Sequence, residues 1–163
     1  MIVTGREVKD YLKNLEANKK YFIAVPHSSY FLPQKKDLQA INVFYREELI
    51  KRFNLQFNNQ WNCAKYAEAY KNMANIYYYK FFRETPRALA VGNVYYTQKS
   101  EKILGFQCGI TSQEETPEKY AGHILNIVLF QENKEIKHLY RDHNRQEFDL
   151  AEVEKKSLEL IVM

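Results

Sequence analysis

The chain has 163 residues, of which 45% are hydrophobic and 27% are charged, and this balance predicts one globular domain over residues 1–163. The net charge is +4, but basic residues are interspersed with acidic ones, which argues against a nucleic-acid-binding face. The first residues do not resemble a signal peptide, and no apolar run reaches the roughly 20 residues that span a bilayer. We therefore expect a cytoplasmic protein that binds neither nucleic acid nor membranes.

The first half of the chain predicts helices. The spacing of apolar residues indicates three of them, around residues 8–15, over 36–53 and over 63–82. Thr4 and Glu7 have the spacing of a capping box, which predicts where the first helix begins. Between the first two helices, a short apolar run is followed by a polar loop that continues to Pro33.

The second half predicts strands. Runs rich in β-branched and aromatic residues, separated by Gly or Asn, indicate four of them, over residues 87–97, 103–110, 123–131 and 136–142. The closing segment, 150–162, is expected to be helical at first and then extended. Helices followed by strands indicate an α+β domain with an antiparallel sheet of about four to six strands.

The segment that opens the long helix is the most chemically suggestive. Asn62 is a favoured N-cap residue, so Cys63 is predicted to lie in the first helical turn. Free backbone N–H groups and the helix dipole stabilise a thiolate there, which makes Cys63 a candidate nucleophile. Cys108 is expected to lie in mid-strand and to be inert. Because structural disulfides are rare in the cytoplasm, both cysteines are predicted to be thiols. Most single cysteines fill space in a core, and this is the alternative interpretation of Cys63.

His123 is the candidate partner of Cys63, because it opens an apolar strand in which its ring nitrogens must be satisfied. The alternative is a structural histidine bonded to the backbone. A turn over 132–135 joins this strand to the next, and reflection across its midpoint brings residues 142 to 144 beside His123. Asp142 and Asn144 are both suitable orienting groups, since either can accept a hydrogen bond from Nδ1–H of the imidazole.

Two short motifs, Trp61-Asn62-Cys63 and Gly122-His123-Ile124-Leu125-Asn126, resemble those of papain-like cysteine peptidases. The nearest resemblance is to the papain-like C-terminal domain of certain mushroom galactose-binding agglutinins and to its bacterial and phage relatives. It implies a single papain-like domain in which the catalytic residues are Cys63, His123 and Asp142. The auxiliary candidates, for the oxyanion hole or for orientation, are Gln60, Asn126 and Asn144.

Two functions follow as alternatives. The first is a hydrolase that cleaves a peptide or isopeptide bond of a protein or peptide substrate through an acyl-enzyme, without a cofactor. The second is a non-catalytic interaction module of the same fold, with a Tyr-rich surface that includes residues 77–79. His138, Asp142 and His143 could ligate a metal, but the Cys and His spacing of a zinc site is missing from the sequence. No metal is therefore predicted.

Overall fold

The computed structural model describes residues 1–15, 21–56, 62–82, 87–99, 120–142, 149 and 158–163. The helices among them are α1 (Gly5–Lys13), α2 (Lys35–Tyr45) and α3 (Cys63–Phe81), and α2 continues into a π-helical segment, Arg46–Lys51. The strands among them are β1 (Ile2–Thr4), β2 (Phe22–Ala24), β3 (Ser29–Phe31), β4 (Ala88–Leu89), β5 (Val91–Lys99), β6 (Tyr120–Glu132), β7 (Glu135–Arg141) and β8 (Leu158–Val162). The predicted α+β class is confirmed.

The described strands form two sheets. In the larger sheet the order is β2-β8-β5-β6-β7, where β2 and β8 run parallel and the other neighbours run antiparallel. Its five strands agree with the predicted four to six. The smaller sheet, in the order β1-β3-β4, does not follow from the sequence, because β3 lies in the stretch that is expected to be a polar loop.

Helices α1 and α3 begin where their capping residues predict. The Thr4 hydroxyl accepts a hydrogen bond from Glu7 N at 3.1 Å, and the Glu7 carboxylate accepts one from Thr4 N at 2.7 Å. This reciprocal pair is a capping box, and it fixes the first turn of α1. At the start of α3, Asn62 Oδ1 accepts from Lys65 N at 3.3 Å. Cys63 is therefore the first residue of its helix, as predicted.

Helices cover both faces of the larger sheet. Successive side chains of a strand point to opposite faces, and those of β6 divide accordingly. On one face, which we call the α1 face, Leu125 and Ile127 share a core cluster with Leu12 of α1. On the other, which we call the α3 face, Val128 shares a second cluster with Tyr70 of α3. Each face of the sheet therefore has its own core.

Several other predictions have an outcome here. The helix predicted over 36–53 is present, but its regular α-helical part ends at Tyr45 and the π-helical segment follows. The closing segment ends extended, as β8. The strand predicted over 103–110 and the helix predicted from residue 150 lie outside the described residues. Within the described part of the chain, no helix combines the length and the apolar character needed to cross a membrane.

Candidate functional site

The β6–β7 hairpin brings His123 and Asp142 together. Its turn residues, Asn133 and Lys134, both have positive φ, 52° and 64°, as a two-residue turn that matches the strand twist requires. The register pairs Glu132 with Glu135, and this is the register that the sequence predicts. As a result, Nε2 of His123 lies 2.9 Å from Oδ2 of Asp142.

This histidine–aspartate pair is buried, with side-chain exposures of 5% for His123 and 1% for Asp142. The predicted hydrogen bond is confirmed, but it is made by Nε2 of the imidazole and not by the expected Nδ1. Asp142 follows Arg141, which pairs with Asn126, so the carboxylate approaches His123 diagonally and not from directly opposite. From that direction it meets Nε2, the ring nitrogen farther from the backbone.

The pairing determines what the imidazole can do. A carboxylate at Nε2 holds a proton on that nitrogen, and the basic lone pair of the neutral ring is then on Nδ1. If Nδ1 takes up a proton, the buried carboxylate stabilises the imidazolium that forms. In this arrangement Asp142 orients the imidazole through Nε2, and Nδ1 is the nitrogen that a general-base role would use.

Cys63 lies at the start of α3 and is 3% exposed. Its sulfur is part of a disulfide, so the prediction that it is a thiol is wrong for this structure. The redox state of a compartment does not decide whether the fold brings two sulfurs into bonding geometry. Cys108, the only other cysteine in the sequence, lies outside the described residues. A disulfide sulfur is not a nucleophile, and Cys63 therefore requires reduction before it can attack a substrate.

The start of α3 lies level with His123 along the sheet. Asn126 donates from Nδ2 to the carbonyl oxygen of Ala67 at 2.9 Å. Cys63 precedes Ala67 by one turn, about 6 Å along the helix axis, which corresponds to about two residues of strand. Farther along α3, Asn75 Oδ1 accepts from Leu89 N at 3.1 Å. Leu89 comes just before Val91, which pairs with Val128 toward the far end of β6. Helix and strand thus run in the same direction.

Across the sheet, the two residues are on different sides. His123 alternates with Ile124 and shares the α1 face with Leu125, whereas α3 covers the face that carries Asn126. Cys63 and the imidazole of His123 therefore belong to opposite faces of the larger sheet.

The auxiliary candidates have different outcomes. Asn126 is 2% exposed and also donates to Asn93 Oδ1 at 3.0 Å, so it joins α3 to β5 and β6. Gln60, Asn144 and the possible metal ligand His143 lie outside the described residues.

His138, the other possible metal ligand with Asp142 and His143, has a different environment from the one a metal site requires. Its Nδ1 is 2.8 Å from the Tyr11 hydroxyl, and its Nε2 is 3.9 Å from Asp149 Oδ1. Among the described residues there is no group of three or more side chains placed to hold a metal ion.

A second polar cluster, on the α3 face, does not follow from the sequence. Arg141 is 3% exposed, and its Nε donates to Asn42 Oδ1 at 3.1 Å. Its guanidinium carbon lies 4.0 Å from the ring centre of Tyr70 and 4.6 Å from that of Tyr45. The signal in the sequence is the alternation of this strand, which places Arg141 on the opposite face from His138, Tyr140 and Asp142.

Comparison with protein families, with curated proteins and with solved structures finds no match for this chain. The papain-like relationship therefore stays a prediction from two short motifs.

Proposed function

We propose that this protein is a cysteine-dependent hydrolase of peptide or isopeptide bonds that is active when Cys63 is reduced. The observation that carries the proposal is the buried hydrogen bond of 2.9 Å between His123 and Asp142, at the level of the sheet where α3 begins. A thiol at a helix start, an imidazole and an orienting carboxylate are the three groups that such a reaction needs.

The first half of the reaction forms the acyl-enzyme. Nδ1 of His123 takes the proton of the Cys63 thiol, and the thiolate attacks the carbonyl carbon of the scissile amide. The tetrahedral intermediate collapses as the C–N bond breaks, and the imidazolium gives its proton to the leaving amine. Asp142 stabilises the imidazolium during this step. The backbone N–H of Cys63 is one donor to the oxyanion.

The second half hydrolyses the thioester. The imidazole of His123 takes a proton from water while the water oxygen attacks the acyl carbon. The C–S bond breaks, the carboxylic acid leaves, and the proton returns to the sulfur of Cys63. No external oxidant or cofactor enters the cycle, although a reductant must first open the disulfide.

Alkylation of the reduced protein tests the proposal without a known substrate. In a Cys108→Ser background, iodoacetamide reports on Cys63 alone. We expect His123→Ala to slow labelling at pH 6 by about tenfold or more, because each unit by which the imidazolium lowers the thiol pKa changes the thiolate fraction about tenfold. His138→Ala, a second histidine on the α1 face, is the matched control and should leave the rate unchanged. Equal rates in all three proteins, with a titration midpoint at about 8.5, would contradict the proposal.

Turnover is the second test. A library of quenched fluorescent peptides and isopeptides should be cleaved by the reduced protein and not by the oxidised protein. Cys63→Ala should abolish cleavage while the circular dichroism spectrum stays unchanged. Cleavage that survives this substitution would exclude Cys63 as the nucleophile.

The alternative function, an interaction module, is favoured by a different observation. Along the outer side of α3, Tyr79, Phe81 and Ile76 are exposed by 78%, 54% and 52%. Large apolar side chains of this kind are common at protein-binding surfaces. If Cys63 labels slowly and no peptide is cleaved, the substitution Tyr79→Ser should weaken binding of a partner recovered with this chain. The control is Tyr78→Phe, because Tyr78 is buried at 4% exposure.

A further inference from the structure

Arg141 is a buried cation without a described counter-charge. Its side chain ends between two aromatic rings, and Asn42 accepts its Nε–H at 3.1 Å. The neighbouring carboxylate, Asp142, points to the other face of the sheet. In the part of the chain that the structure describes, no carboxylate forms an ion pair with this guanidinium.

The contacts that Arg141 makes satisfy only part of its bonding capacity. A guanidinium carries five N–H donors, and the described hydrogen bond uses one of them, on Nε. The Asn42 oxygen that accepts it also accepts from the Tyr70 hydroxyl at 2.8 Å. The rings of Tyr45 and Tyr70 attract the cation through their faces but do not accept its in-plane N–H groups. Burying a charge in this way is unfavourable unless another group completes the pairing.

The Tyr45 hydroxyl has the same need. It is buried, and among the described residues no group meets it in regular hydrogen-bond geometry; its nearest polar neighbour is the Arg141 guanidinium, which lies close enough to act on its pKa. Burial raises the pKa of Tyr45 well above its ordinary value, although Arg141 beside it acts in the opposite direction. The hydroxyl is therefore a neutral donor at physiological pH. The backbone changes from α-helix to π-helix directly after Tyr45, a departure from regular geometry that is frequent at functional sites.

We infer that Arg141 and Tyr45 form a recognition site for the carboxylate group of a ligand. A carboxylate is planar and accepts two parallel N–H bonds from a guanidinium, which a single oxygen acceptor cannot do. One carboxylate also carries one negative charge, and it would neutralise the single buried charge of Arg141. A phosphate dianion would leave a negative charge in excess at the same place.

The inference does not depend on the proposed hydrolase. The site lies on the α3 face, where Tyr70 and Arg141 meet, and the catalytic proposal uses His123 on the α1 face. A chain in which Cys63 never reacts could still bind a carboxylate, and a hydrolase could work without this site. The two proposals therefore fail separately.

Titration with sodium acetate, followed by the nitrogen–proton spectrum of arginine side chains, tests the inference directly. We expect the Nε–H signal of Arg141 to shift with a saturable curve, at constant ionic strength, and acetamide to have no effect. Arg141→Gln removes this signal, and any saturable shift that acetate causes in the other signals of the wild-type protein should disappear with it. Arg6→Gln removes a guanidinium whose side chain is 92% exposed, and this matched control should leave the binding curve unchanged.

Tyr45→Phe keeps the ring and removes only the hydroxyl, so it should fold even if Arg141→Gln does not. We expect it to weaken acetate binding about tenfold, the effect of one hydrogen bond to a charged group. Two further ligands distinguish the sources of a carboxylate. N-acetylalanine presents the carboxylate of a chain terminus, and N-acetylglutamic acid α-amide presents the carboxylate of a side chain. Binding of either supports the inference.

Three results would overturn it. A linear response to acetate that sodium chloride reproduces would show general screening and no site. Equal affinity of the wild-type protein and Tyr45→Phe would remove Tyr45 from the site. Saturable binding of inorganic phosphate without binding of acetate would show that the site selects a different anion.

Discussion

Arg141 and Asp142 are adjacent in the sequence, yet they lie on opposite faces of one sheet and in opposite electrostatic surroundings. Asp142 is hydrogen-bonded to His123 at 2.9 Å, a group that can carry the complementary charge. Arg141 is surrounded by an amide and two tyrosine rings, none of which carries a negative charge at neutral pH. Both side chains are almost completely buried.

The difference shows that burial alone does not tell whether a charged residue stabilises its fold. A buried charge with a complementary partner is costly to disrupt, because removal of one partner leaves the other unsatisfied. A buried charge with unused donors is costly to keep, and in the site that we infer a ligand carboxylate would offset that cost. Substitutions at these two neighbouring positions should therefore have very different effects on the free energy of unfolding.

The largest effect is expected for Asp142→Ala. This substitution leaves the buried imidazole of His123 without the carboxylate, and we expect the free energy of unfolding to fall by about 3 kcal/mol. Urea unfolding at pH 7 measures it. Asp10→Ala removes a carboxylate that is 55% exposed and should change the free energy by less than about 0.5 kcal/mol. If the two variants unfold at the same urea concentration, the pair on the α1 face contributes no more than a surface ion pair.

The contact between His123 and Asp142 can be predicted from the sequence because it depends on a local feature, the hairpin that joins their strands. The register of a hairpin depends on the length of its turn, so the turn over 132–135 is enough to bring residues 142 to 144 to His123. The choice of Nε2 instead of Nδ1 depends on how the ring is oriented, and a register argument does not include that. The fold class follows in the same way from periodicity, with each strand of the hairpin carrying its own apolar pattern.

Features that depend on distant parts of the chain do not follow from the sequence. Strand β3 exists because residues 29–31 pair with β1 and with Ala88 and Leu89, and its own three residues carry no strand pattern. The surroundings of Arg141 are set by α2 and α3, which come about 60 to 100 positions earlier in the chain. The disulfide of Cys63 likewise depends on which sulfur the fold brings near.

Substitutions at the N-caps of α1 and α3 should change the free energy of unfolding by less than Asp142→Ala does. Thr4→Ala removes the side-chain half of a reciprocal capping box, and we expect a loss of about 1 kcal/mol in the free energy of unfolding. Asn62→Ala removes a single bond of 3.3 Å and should cost less. Thermal unfolding of both variants against the wild-type protein measures the difference. A larger loss in Asn62→Ala would show that the start of α3 is the more dependent on its cap.

The capping box also predicts a dependence on pH. The backbone N–H of Thr4, and then its hydroxyl, lower the pKa of Glu7 below its ordinary value. A carboxyl group whose pKa is lower in the folded state stabilises the fold above its unfolded-state pKa. That contribution is lost as the pH falls through the folded-state pKa of Glu7. The difference in free energy of unfolding between the wild-type protein and Thr4→Ala should therefore become smaller as the pH falls through the folded-state pKa of Glu7. Urea unfolding at a series of acidic pH values measures it.

The smallest effect is expected for Arg141→Met, although Arg141 is as deeply buried as Asp142. Methionine keeps the length and most of the packing between Tyr45 and Tyr70 while it removes the charge that burial disfavours. The lost cation–π contacts and the lost bond to Asn42 oppose this gain, so we expect a net change within about 1 kcal/mol in either direction. Urea unfolding with and without acetate measures it. In the wild-type protein acetate should raise the unfolding midpoint, because a ligand that binds only the folded state stabilises it; in Arg141→Met that rise should disappear. A loss as large as that of Asp142→Ala, unaffected by acetate, would mean that the guanidinium is held for packing and that the α3 face has no ligand to recognise.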